Sequence, residues 1–143
     1  MNASTFAAPG FLRNILIIDA ISCAACGLLQ LLFGASLVEL FALPASLLMW
    51  TGEFLLVYAA VVSVVAFKLP QPHPIVWTFV IGNFAWAIAC AALLLGSWVE
   101  PTMLGKAYIV MQAVTVVVLA ELQLTCLRRS ANNMNPPRVT VDY

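Results

Sequence analysis

Apolar residues run along this chain in four long blocks separated by short polar or proline-containing breaks. Each block is long enough for a bilayer, since roughly 20 apolar residues at ~1.5 Å rise span the hydrocarbon core as a helix. The pattern predicts spans over about 12–33, 45–69, 75–95 and 103–127. Within the first block, Asp19, Ser22, Cys23, Cys26 and Gln30 fall on one side of a helix at ~100° per residue. A polar stripe on a helix otherwise suited to lipid has to face other protein or water. The pattern therefore predicts an all-α bundle of four transmembrane helices packed around polar positions.

The breaks fit this scheme. Pro9-Gly10 ends a short N-terminal tail, Pro44 is placed to open the second span, and Pro70-Gln71-Pro72-His73-Pro74 makes a tight connection. Residues 34–44 are too apolar for an ordinary loop and too short to cross. They are expected to lie in the interface, with Glu39 toward water and Leu37, Leu40 and Phe41 toward lipid. Gly96 to Thr102 forms the second loop on that side, and residues 130–143 read as a polar, disordered cytoplasmic tail beyond a 1–129 membrane domain. Ala20-Ile21-Ser22-Cys23-Ala24-Ala25 is echoed by Ala87-Ile88-Ala89-Cys90-Ala91-Ala92 in the third span, the pattern expected of two related helical hairpins.

Composition sharpens the class. Hydrophobic residues make up 64% of the 143 and charged residues 8%, against ~45–50% and ~25% in soluble domains. The first block is read as retained, because residues 1–10 carry no Lys or Arg and Asp19 interrupts any signal-like core. Charge then gives an orientation. Arg13, Lys68, Arg128, Arg129 and Arg138 lie on one side and only Lys106 on the other, so both termini are expected in the cytoplasm. No basic patch points to nucleic acid.

Candidate chemistry is sparse. Cys23-x-x-Cys26 sits in the small-residue run Ser22 to Gly27, which suits close helix packing more than a redox or metal motif. His73 has no second histidine beside it, so no metal site or cofactor is expected. Nucleophile motifs and phosphate loops are absent from the sequence, and no catalytic residue suggests itself.

The polar residues inside the spans sort by depth into two tiers. Asp19 and Glu121 are expected to form an inner-face cluster with Arg13 and Arg128, sharing a proton or pairing with the guanidinium groups. Glu53 has no basic residue at its depth. With Gln30, Asn83 and Gln112 it makes the candidate ligand-binding set of an outer-leaflet pocket, Tyr58 and Tyr108 being further partners for its carboxyl. Gln112 and Gln123 share one face of the last span while Glu121 lies nearly opposite.

Leu16-Ile17-Ile18-Asp19-Ala20, Trp77, Gly82-Asn83, Trp86, Gly96-Ser97-Trp98-Val99, Pro101-Thr102, Gly105, Gln112-Ala113 and Ala120-Glu121-Leu122-Gln123 before Arg128-Arg129 together resemble a group of small, largely uncharacterised bacterial four-helix inner-membrane proteins. The resemblance implies a four-span bundle in the inner membrane and brings no assigned reaction. Small four-span proteins of the DoxX type are similar in size and topology only. Three readings of function follow. The first is a non-enzymatic protein acting in the bilayer through self-association, as a homodimer, or as an accessory subunit of a larger membrane partner. The second is a carrier or binding protein for a lipid, quinone or other apolar ligand, and the third a membrane thiol redox protein.

Overall fold

The computed structural model describes residues 9–68 and 73–134, with side chains for 10–68 and 73–129. Five helices follow one another: α1 (Pro9–Leu32), α2 (Gly34–Phe41), α3 (Ala45–Phe67), α4 (His73–Leu95) and α5 (Met103–Met134). No strand occurs among the described residues. Four helices are long and apolar enough to cross a membrane, in windows covering Gly10–Leu32, Ala45–Phe67, His73–Leu95 and Met103–Arg129. The chain is a multi-pass membrane helical bundle.

The bundle is apolar outside and polar at selected points inside. Ile18, Ile21, Val57, Phe67, Ile81, Ile88 and Val114 stand exposed, whereas Asp19, Gln30, Asn83 and Gln123 are buried. In lipid an outward Ile costs nothing, while an outward amide lacks a partner, so the polar residues mark the interior. α1 packs chiefly on α3 and α4 on α5, and the two hairpins meet along α1 and α5. Gly27 sets the first pairing. A Cβ there would stand 2.9 Å from the Gly52 carbonyl oxygen on α3, so only glycine permits the approach. Cys23 and Cys90, equivalent in the echoed stretches, are both buried.

The stretch expected along the lipid surface departs from that expectation. It folds as α2, with Leu37 and Phe41 buried in a cluster containing Leu43, Leu48, Cys90, Tyr108 and Ile109, while Glu39 and Leu40 stay exposed. Phe41 stacks on Tyr108 with ring centroids 4.8 Å apart. Burying two large side chains against α3 and α5 fills the end of the bundle, which lipid contact would leave open. Ala42 then turns the chain with φ 52°, its N–H donating to the Val38 carbonyl.

Thr102 ties this corner to α5. Its N–H donates to the Phe41 carbonyl at 3.0 Å and its hydroxyl to the Leu40 carbonyl at 2.7 Å. The same hydroxyl accepts the Gly105 N–H at 3.1 Å, capping α5. One threonine thus serves the end of α2 and the start of α5.

At the opposite end of the bundle α5 continues past the expected Leu127 to Met134. Pro9 and Gly10, expected to end the first tail, open α1, and residues 130–134 of the expected disordered tail continue α5. Residues 1–8, 69–72 and 135–143, with Pro70, Gln71, Pro72 and Arg138 among them, lie outside the described residues.

Candidate functional site

Helical spacing brings four spans together at one carboxylate. Asp19 on α1 is fully buried. Asn83 on α4 donates from Nδ2 to its Oδ2 at 3.1 Å, and Gln123 on α5 donates from Nε2 to the same atom at 2.8 Å. The Tyr58 hydroxyl on α3 donates to Oδ2 at 3.5 Å, and the Cys23 thiol, one turn along α1, faces Oδ1 at 3.7 Å. Tyr58 also reaches the Asn83 Oδ1 at 3.4 Å. All these partners are neutral, so among the described residues the Asp19 carboxyl is held by dipoles and by no cation.

The expected inner-face cluster is not assembled. Arg13 lies over the Phe67 ring, 5.4 Å from its centroid. Arg128 and Glu121 are exposed. The physical reason is the helical turn: Glu121 is two residues, about 200°, from Gln123, so seating Gln123 against Asp19 turns Glu121 outward. The shared face of Gln112 and Gln123 was the signal available in the sequence for Gln123.

A second set of polar groups lies nearer α2. Gln30 donates from Nε2 to the Tyr108 hydroxyl at 2.9 Å and accepts from the Thr51 hydroxyl at 2.8 Å. Trp86 donates from Nε1 to Gln112 Oε1 at 3.1 Å. Of the four candidate ligand residues, Gln30 and Gln112 belong to this set and Asn83 belongs to the Asp19 cluster. Glu53 joins neither. It is exposed on α3, two residues from the inward Thr51 and so roughly across the helix from it. Tyr58, Trp86, Thr51 and Tyr108 carry much of the geometry. An aromatic or hydroxyl residue in an apolar block gives little advance sign of which groups it will join.

Cavities surround Trp86. One of about 400 Å³ lies between α3 and α4, where Trp50, Phe54 and Tyr58 face Asn83 and Trp86, with Cys23 at the back. These two helices lean on one another chiefly through side chains, so a cleft remains between their backbones. The Phe54 and Trp86 rings are nearly parallel, with centroids 5.6 Å apart, and Tyr58 meets Phe79 edge-on. A space of about 160 Å³ adjoins Gln30, Tyr108 and Gln112, and one of about 250 Å³ adjoins Cys23, Cys26 and Gln112. Trp86 borders all three.

Among the described residues no three His, Cys, Asp or Glu side chains gather as a metal site. Cys23, Cys26, Cys90 and Cys126 are free thiols, and Cys23 is engaged with Asp19. The arrangement buries a carboxyl group inside the bundle and places an aromatic, apolar cleft beside it. Compared with protein-family models, curated proteins and solved structures, the chain matches none. The resemblance to bacterial inner-membrane proteins finds no counterpart among them.

Proposed function

We propose that this protein is a non-enzymatic binding protein that receives an apolar ligand sideways from the bilayer into the α3–α4 cleft. The observation that carries the reading is that cleft: about 400 Å³, walled by Trp50, Phe54, Tyr58 and Trp86. Its volume falls within the ~300–1,000 Å³ range of small-molecule sites, and its mix of aromatic walls with a few polar groups is typical of them. The proposed setting is the bacterial inner membrane with both termini cytoplasmic, following the excess of arginine and lysine at that end.

The test uses the intact protein in detergent. Saturable quenching of Trp50 and Trp86 fluorescence by a short-chain benzoquinone or a spin-labelled fatty acid is expected. Ala89→Phe, which fills part of the cleft, is expected to abolish it. Quenching that rises linearly with probe, or survives Ala89→Phe unchanged, sinks the reading.

Self-association or a membrane partner is favoured by a different observation. Glu53 lies on the exposed face of α3 within a span, where lipid offers a carboxyl no partner. Cross-linking through Glu53→Cys is expected to trap a second chain. Exclusively monomeric product across detergents and bilayers would remove this reading.

A further inference from the structure

We infer that the head group this cleft selects is cationic: an organic ammonium or phosphonium on an apolar body, drawn by the Asp19 carboxylate behind the cleft floor. The inference rests on the cleft being a ligand site and adds to it the charge of the ligand.

The inference comes from counting which hydrogen-bonding capacity is spent and which is left. Asn83 Nδ2, Gln123 Nε2, the Tyr58 hydroxyl and the Cys23 thiol all point at Asp19. Trp86 Nε1 is committed to Gln112 and the Thr51 hydroxyl to Gln30. A neutral carbonyl head, such as a quinone's, needs donors, and of these only the loosely held Tyr58 hydroxyl is free to turn. Acceptors are in surplus. Gln123 Oε1 is buried with no partner, and Asn83 Oδ1 has only the long 3.4 Å approach of Tyr58. The cluster therefore offers a carboxyl group and unused oxygen lone pairs, the complement of a cation.

The walls suit the same charge. Trp50, Phe54, Tyr58 and Trp86 surround the cleft, and the faces of such rings attract a cation within ~6 Å of their centroids. Among the described residues Arg13 lies over Phe67 and Arg128 is exposed, so neither is seated at Asp19. The three cleft-lining groups next to Asp19 are Cys23, Tyr58 and Asn83. Tyr58 is the most loosely held of the oxygen and nitrogen partners, at 3.5 Å from the carboxylate and 3.4 Å from Asn83. It can turn its oxygen toward an incoming head without giving up a short bond.

The test compares three probes on the intact protein in neutral detergent by saturable tryptophan quenching. They are tetraphenylphosphonium, its anionic near-isostere tetraphenylborate, and a neutral short-chain benzoquinone. Phosphonium is expected to bind at least about tenfold more tightly than borate, because a carboxylate one side chain away is a strong discriminator at low dielectric. Asp19→Asn is expected to weaken phosphonium by about tenfold or more, Asp19→Glu to retain most of it, and benzoquinone to be little changed by either. Borate or benzoquinone binding as tightly as phosphonium, or phosphonium indifferent to Asp19→Asn, overturns the cationic inference and leaves the ligand site standing. Absence of saturable binding by every probe overturns both. Should Asp19→Asn fail to fold, the phosphonium-to-borate ratio of the parent protein decides alone, a ratio below about tenfold counting against the inference.

Discussion

The bundle contains two buried polar assemblies that differ in one respect. Around Gln30, amides, hydroxyls and an indole N–H pair off, and the assembly is neutral throughout. Around Asp19, all four spans contribute, yet among the described residues the assembly keeps a carboxyl without a cation and a glutamine oxygen without a donor. Interhelical hydrogen bonds suffice to hold helices in lipid, as the Gln30 assembly shows, and adhesion alone does not require a charge. An ionisable group at this depth is expensive, and the expense is understandable if the charge has something to attract.

The comparison yields an order of expected losses. Asp19→Ala leaves the Asn83 and Gln123 amides without acceptors and is expected to destabilise by about 3 kcal/mol, measured by denaturant unfolding in detergent. Gly27→Val comes next. It forces a side chain against the Gly52 carbonyl and Leu56, with an expected loss of about 2 kcal/mol on the same assay. Gln30→Leu removes a neutral pair and is expected to cost about 1 kcal/mol. Glu121→Gln, on an exposed face, is expected to change stability by less than about 0.5 kcal/mol. If Gln30→Leu costs as much as Asp19→Ala, the contrast between the two assemblies collapses. If Glu121→Gln ranks beside Asp19→Ala, the carboxyls act together after all.

Much of the fold was legible because span length is dictated by bilayer thickness. The expected starts at 45 and 103 coincide with the first residues of α3 and α5, and the expected end at 95 with the last of α4. Residues 34–44 were recognised as special, but the direction of Leu37 and Phe41 depended on the gap α3 and α5 leave beneath them. Apolar content alone does not distinguish a lipid-facing helix from one that caps a bundle. The site was legible in part. Asp19, Gln30, Asn83 and Gln112 were found because polar residues in a span have few places to go. Their grouping is not legible from depth along each helix, because partners follow from rotation about each axis. Glu121 and Gln123 differ by two residues, and rotation alone sends one inward and the other out. Trp86, which borders the three spaces described, is one aromatic among many along an apolar chain.

The double role of Thr102 has a consequence for how the molecule can open. The α1–α3 and α4–α5 hairpins resemble the covers of a book, with the α1–α5 contact as spine and the α3–α4 flank as fore-edge. Thr102 stitches α2 to α5 at one corner through three hydrogen bonds. At the far end of the fore-edge, below Tyr58 and Asn83, the chain itself passes directly from α3 to α4 between Phe67 and His73. The covers are therefore tied at both ends, and any parting of them is a bowing at the middle of the fore-edge, where the cleft lies.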